Sequence, residues 1–331
     1  MTSPIDRRSF LVAVGAGAFL ATFRARAQKT AQPMIGYLGA ESATPFASRL
    51  SAFRQGLAES GYVEGRNVGI EFRWAEGQHI RLTELAAELV IRRVDVIVAP
   101  GGAPAALAAK AATTTIPIVF EMGADPVALG LVESLNRPGG NLTGVTSFNV
   151  DLSAKRLQFL SEVIHTTRPV AVLVNPTSPT TESQLNRLET AAHELKMQMH
   201  IVRAASEQEF GAALEKVRAA NAAGLVVASD TYFALHSEPL AALALQSGLP
   251  AIAQTRDFPL AGGLMSYGGN FFESHRIAGV YTARVINGAN PADLPVQQVK
   301  GVEFFVNLKT AKTLGITVPM SLLTRADKVI E

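Results

Sequence analysis

Asp95-Val-Ile-Val-Ala-Pro100 runs through an alanine-rich stretch to Ile116-Pro-Ile-Val-Phe-Glu121. Gly224-Leu-Val-Val-Ala-Ser-Asp230 runs through an Ala/Leu-rich stretch to Leu249-Pro-Ala-Ile-Ala-Gln254. Each reads as strand, helix, strand. The strand runs are apolar without polar alternation, as a parallel strand covered on both faces requires. Two such units in one chain point to two lobes of one architecture.

The same alternation extends outward in both directions. Before the first unit come strand-like runs at Met34–Leu38 and Val68–Phe72. Between them, Leu50, Phe53 and Leu57 stand at helical spacing within 46–60, and Leu82, Leu85, Ala86, Leu89 and Val90 mark a second helix. A further helix is expected over 127–135, ahead of the turn Pro138-Gly-Gly-Asn141. After about residue 150 the pattern restarts, with strands at 170–174, 199–202, 225–228 and 251–253. Helices are expected between them, at 153–165, 181–196, 207–220 and 232–247. The fold class is therefore α/β: two doubly wound parallel-sheet lobes with a cleft between them.

The chain has 331 residues, 48% hydrophobic and 18% charged, which suits two folded domains and excludes a disordered chain. It contains no cysteine, which removes disulfides, cysteine–zinc and iron–sulfur sites, and a lipid anchor on an N-terminal Cys. The formal charge of +2 misleads about partners. Asp6-Arg-Arg-Ser-Phe-Leu11 opens a thirteen-residue uncharged stretch, Leu11 to Phe23, and Ala25-Arg-Ala27 follows. That is the layout of a cleavable export signal over 1–27, with a core resembling the twin-arginine type. An ordinary secretory signal remains the alternative. Thirteen residues fall short of the roughly 20 that span a bilayer, so no stable membrane anchor is expected. Cleavage after Ala27 removes four arginines and one aspartate, turning +2 into −1. Nucleic acid drops out as a partner.

No phosphate loop, H-E-x-x-H or G-x-S-x-G occurs, and the six histidines lack metal-ligand spacing. No enzyme, cofactor or metal is expected. The candidates lie instead where strands run into helices, since ligands of open parallel sheets bind beyond the strands' carboxyl ends. Gly101, Gly102 and Ala103 open a helix with Pro104 in its first turn, so free backbone N–H groups there suit an anion. Gly39 holds the equivalent place after the first strand. Each can equally be a plain turn. Asp230 and Thr231 end a strand; Asp230 either caps the next helix or pairs with a ligand amine. Arg256 is a candidate for a ligand carboxylate. Thr177 belongs to a hydroxyl-rich turn, and Phe148 and Tyr267 stand where the chain is expected to cross between lobes.

Asp125-Pro-Val-Ala-Leu-Gly-Leu-Val, Arg137-Pro-Gly-Gly-Asn-Leu-Thr-Gly144 and Ala261-Gly-Gly-Leu-Met-Ser-Tyr-Gly268 resemble segments of one family of ABC transporter substrate-binding proteins. So do Asn290-Pro-Ala-Asp-Leu-Pro295, Asn307-Leu-Lys-Thr-Ala-Lys-Thr-Leu-Gly-Ile316 and Arg325-Ala-Asp-Lys-Val-Ile-Glu331. The resemblance implies the type I periplasmic-binding-protein fold, with three crossing strands as the hinge. Lobe one would comprise 28–147 plus 268–297, and lobe two 148–267 plus 298–331. It also implies a carrier that binds a small polar solute and hands it to a permease in the inner membrane. The anion-favouring helix entries and Asp230 make the expected solute an amino acid or related carboxylate, and the export signal without a lipid anchor makes the carrier a periplasmic monomer. Some members bind aromatic amino acids such as tryptophan. The family's Ser-Asp-x-x-Phe segment reads Ser229-Asp-Thr-Tyr-Phe233 here, while its Arg-Glu-Phe reads Arg256-Asp257-Phe258, which puts amino-acid specificity in doubt. A ligand sensor for a membrane receptor and an exported cofactor-bearing enzyme are the alternatives.

Overall fold

The computed structural model describes residues 32–44, 46–164 and 167–331; the expected signal at 1–27 lies outside them. The chain opens with β1 (Met34–Gly39), α1 (Ala47–Glu59), β2 (Gly69–Trp74), α2 (Leu82–Ile91), β3 (Val96–Ala99), α3 (Gly102–Ala112), β4 (Ile118–Met122) and β5 (Leu142–Thr146). Next come α4 (Ser153–Ser161), β6 (Val170–Val174), α5 (Thr181–Glu194), β7 (Met199–Arg203), α6 (Phe210–Ala219) and β8 (Gly224–Val227). α7 (Thr231–Leu235), α8 (Ser237–Gln246), β9 (Ala251–Ala253), α9 (Asp257–Leu260) and β10 (Met265–Gly269) follow. The chain ends with α10 (Phe271–Ile286), β11 (Gln297–Gln298), β12 (Val302–Asn307), α11 (Leu308–Thr313), α12 (Met320–Leu323) and β13 (Lys328–Ile330).

Two sheets result. The first runs β11-β5-β4-β3-β1-β2, parallel throughout. The second runs β13-β12-β10-β9-β8-β6-β7, parallel except where β12 lies antiparallel to β10. The chain passes between them three times: from Thr146 to Ser153, from Gly269 to Phe271, and from Gln298 to Val302.

Period-two side-chain direction sorts the strand residues into two cores per sheet. Along β3, Ile97 and Ala99 pack with Leu82, Leu85 and Leu89 of α2 and with the alanines of α3. Val96 and Val98 pack on the opposite face with Phe53 and Leu57 of α1 and Ala278 and Tyr281 of α10. Helices α1 and α10 approach closely because glycines line their contact: a Cβ on Gly56 would overlap the Arg276 carbonyl, and one on Gly279 the Phe53 carbonyl.

Two expected helices differ. Residues 127–135 form turns. Asp125 Oδ1 accepts from the N–H groups of Val127 (2.8 Å) and Ala128 (3.3 Å), and Gly130 then takes φ +65°, which closes the turn. The helix expected over 232–247 is broken at His236, whose φ/ψ of −100°/30° separates α7 from α8. Among the described residues no helix is long and apolar enough to cross a membrane.

Candidate ligand-binding cleft

The carboxyl ends of both sheets face one cavity, lined from both sides. From the first lobe come Gly102 and Ala103 at the start of α3, Glu121 and Met122 ending β4, Arg49 of α1 and Phe271 of α10. The second lobe contributes Ser178 and Thr180 before α5, Ser229, Asp230 and Thr231 after β8, and Gln254 after β9.

Asp230 is held from several directions. Its Oδ1 accepts from the N–H groups of Tyr232 (2.9 Å) and Phe233 (3.3 Å), capping α7, and from Asn175 Nδ2 at 3.2 Å. Gln254 Nε2 donates to its backbone carbonyl at 2.8 Å. All three side-chain bonds converge on Oδ1, and among the described residues Oδ2 has no donor. Asp230 therefore both caps a helix and lines the cavity. Opposite it, Gly102 adopts φ +77°, and a Cβ there would come within 2.9 Å of Thr231 Oγ1. The lobes thus meet closely at the α3 entrance.

The first-lobe wall is a buried polar cluster. Glu121 is 2% exposed, and Ser274 Oγ donates to its Oε1 at 2.8 Å. Burial pushes its carboxyl up to about 7, against the Ser274 bond and the charge of Arg49. Glu41 is fully buried, and among the described residues neither carboxyl oxygen has a hydrogen-bond partner. Burial raises it to about 8, with Arg49 opposing. His275 Nδ1 lies 2.8 Å from the Phe271 carbonyl, which makes that nitrogen the donor. Among the described residues its Nε2 has no hydrogen-bond partner and lies 3.9 Å from Glu121 Oε2, and burial followed by the charge of Arg49 lowers the imidazole to about 3. Arg49 stands beside this cluster with its Cζ 4.3 Å from the Phe46 ring centroid and 4.6 Å from that of Phe271.

Of the residues singled out from sequence, Gly102, Ala103, Asp230 and Thr231 line the cavity. Gly39 lies behind it, where a Cβ would overlap the Trp74 ring; Gly101 packs on Ala40. Thr177 closes a turn, its N–H and hydroxyl both donating to Asn175 Oδ1. Arg256 turns aside to Glu303 Oε1 at 3.5 Å, in a neighbouring groove. Tyr267 packs edge-on against Phe159, at 4.8 Å between centroids. Phe148 sits at the first crossing with φ +48° and lines a separate groove with Val299.

Sequence reasoning missed Arg49, Glu121, Gln254 and Phe271. Arg49 had a readable signal. It falls at the helical spacing of Phe46, Phe53 and Leu57, a cation on the apolar face.

Two parallel-sheet lobes linked by three crossings, with a polar cavity fed by both, define a two-lobed solute-binding protein of the periplasmic-binding-protein fold. The sequence matches the family described as ABC transporter substrate binding protein over residues 46–330, and the chain belongs to it. That is a family of binding proteins rather than enzymes. A tyrosine-binding protein of Clostridioides difficile (strain R20291) is 26% identical over 265 residues, 80% of this chain and 75% of the relative. An ABC domain from Streptococcus pneumonia in complex with L-Trp is 25% identical, with TM-score 0.82 over 91% of this chain and 100% of that one. A ligand-free, open substrate-binding protein with adhesive properties from Clostridium difficile is 24% identical, with TM-score 0.63 over 90% of this chain and 99% of that one.

Proposed function

We propose that this protein is the periplasmic solute-binding component of an ABC importer, which closes on an amino acid or related carboxylate and delivers it to a permease in the inner membrane. The observation that carries this reading is the pairing across the cleft of Asp230 with the start of α3. The first N–H groups of an α-helix have no intrahelical acceptor and favour an anion, so Gly102 and Ala103 take the ligand carboxylate. Asp230 Oδ2 takes the ammonium. Because the two groups belong to different lobes, a zwitterion stabilises the closed state by touching both. Lobe one (28–147 plus 268–297) and lobe two (148–267 plus 298–331) then move as bodies about the crossings.

The higher TM-score against the L-Trp complex than against the open protein, at nearly equal identity, supports reading this arrangement as the closed form. Residues 1–27 export the chain, and the mature protein works as a monomer. Thermal unfolding of the mature protein against a panel of amino acids and organic acids tests the reading. A saturating ligand at about 100 times its Kd stabilises by about 2.7 kcal/mol, a shift of several degrees. No shift with any of them overturns it.

A further inference from the structure

Arg49 is the anomaly in this cavity. It is 9% exposed, carries five N–H donors, and its side chain makes no hydrogen bond within the described residues. Its nearest charge, Asp257 Oδ2, is 3.7 Å away on a side chain 57% exposed, too far for a hydrogen bond. Neither Glu41 nor Glu121 comes within ion-pair distance of it. Burial also holds both of those carboxyls toward their neutral forms, so they compensate its charge only in part. Phe46 and Phe271 fix the guanidinium in place through cation–π contacts. What it offers a solute is therefore its N–H donors, pre-positioned and lining the cavity.

The topology separates Arg49 from the α3 entrance. Helices α1 and α10 cover one face of the first sheet, while α2 and α3 cover the other. Arg49 and Phe271 thus enter the cleft from one side of the strand ends, and Gly102 from the opposite side. Thr231 lies against Gly102, so Asp230 belongs to the α3 end. An amino acid whose ammonium and α-carboxylate occupy that end points its side chain toward Arg49 and Glu121.

We propose that Arg49 anchors a second anionic group, so that the preferred solute is an amino acid with an acidic side chain rather than an aromatic one. This rests on the reading of the cleft as an amino-acid site. Glu121, held between Ser274 and the unpartnered Nε2 of His275, then faces that group in its protonated form and donates to it. A planar guanidinium matches a carboxylate with two parallel bonds, whereas an indole or phenol ring offers those donors no charged acceptor.

Isothermal titration of the mature protein with L-glutamate, L-aspartate, L-glutamine, L-tyrosine and L-tryptophan tests this. The acidic amino acids are expected to bind at least about 10-fold tighter than glutamine, tyrosine and tryptophan. Arg49→Met keeps the stem against both phenyl rings. It should cost the acidic ligands about 10- to 100-fold while leaving glutamine within about threefold, and Arg49→Lys should recover part of the loss. The ranking in the unaltered protein stands even if the variant does not fold. Equal or tighter binding of tyrosine or tryptophan overturns the assignment of Arg49 and leaves the cleft reading intact. So does a uniform loss for every ligand in Arg49→Met, which would make Arg49 the holder of the α-carboxylate. Absence of binding by every amino acid overturns both.

Discussion

Arg49 of α1 and Asp257, the first residue of α9, approach to 3.7 Å across the cleft, one from each lobe. The contact exists only while the lobes are together, and Asp257 does not line the cavity, so Asp257 adds to closure without touching the solute. Its weight follows from exposure. Asp257 is more than half exposed, and pairs of this kind contribute roughly 0–1 kcal/mol. Asp257→Asn should therefore weaken ligand binding by no more than about fivefold, and the difference should shrink as salt is raised. Titration at two ionic strengths checks it. A loss of a hundredfold would make Asp257 a ligand contact instead.

Stability should depend on pH through the buried carboxyls of lobe one. Glu41 and Glu121 keep their protons up to about 8 and about 7 when folded, but release them near 4.5 when unfolded. Their contribution is thus full below about 4.5 and is lost as pH rises through 7 and 8. His275 works in the opposite sense. It stays neutral in the fold down to about 3, while the unfolded imidazole takes a proton below 6.5, so its contribution is lost as pH falls from 6.5 toward 3. From these three groups together, maximum stability is expected near pH 4.5, where the loss from two carboxyls begins to outweigh the gain from one imidazole. Glu41→Gln removes one titration without changing shape. It should match the unaltered protein near pH 4 and exceed it by on the order of 4 kcal/mol at pH 8.5, read by urea unfolding at both. A parallel pair of pH profiles would show that Glu41 ionises freely.

The strands were legible because the residues themselves carry their environment. Val94 to Ala99 is apolar at every position but Asp95, as a strand packed on both faces must be. The α3 entrance was legible for the same reason: Gly-Gly-Ala-Pro is local chemistry. What escaped depends on partners far along the chain. Nothing near Glu121 in sequence announces Ser274, and nothing near Arg49 announces Phe271. Arg256 shows the converse. It has the residue type and the position of a carboxylate ligand, yet Glu303 on β12 draws it away. Residues 127–135 have helical apolar spacing, but spacing does not register that Asp125 and Gly130 satisfy and close a turn instead.

Asp230 has two tasks, and two substitutions separate them. Asp230→Asn keeps an Oδ1 acceptor for the N–H groups of Tyr232 and Phe233 while removing the charge offered to an ammonium. Folding should change by less than about 0.5 kcal/mol, since Asn and Asp cap about equally well, and ligand affinity should fall at least about 10-fold. Asp230→Ala removes both functions and should add about 1 kcal/mol of destabilisation from the lost cap. Calorimetry for affinity and denaturant unfolding for stability read the two tasks independently. If Asp230→Asn binds as well as the unaltered protein, the cavity-facing oxygen holds no ammonium.

Arg156 of α4 fastens the hinge to the site. It is completely buried, and among the described residues its donors go to neutral acceptors. Nη1 donates to the Tyr267 carbonyl at 2.9 Å, and Nη2 to the Asn149 carbonyl at 2.9 Å and to Ser229 Oγ at 2.5 Å. Two crossing segments and the residue before Asp230 are thereby tied to one guanidinium. Arg156→Met removes the charge-assisted donors from these buried acceptors, although the Asn149 carbonyl keeps the Leu152 N–H and Ser229 Oγ, and should cost about 3 kcal/mol of unfolding free energy. Lysine places fewer donors and cannot span three acceptors in the guanidinium plane, so Arg156→Lys should recover less than half. Because Asn149 Oδ1 also accepts from the Gly269 N–H at 2.7 Å, loosening Arg156 frees both crossings at once. Amide hydrogen exchange should therefore rise at 147–150 and at 266–270, the end of β10 and the crossing after it, in either variant, ahead of the other strands of both sheets. Exchange that rises evenly across lobe two would make Arg156 an ordinary core residue rather than the fastening of the hinge.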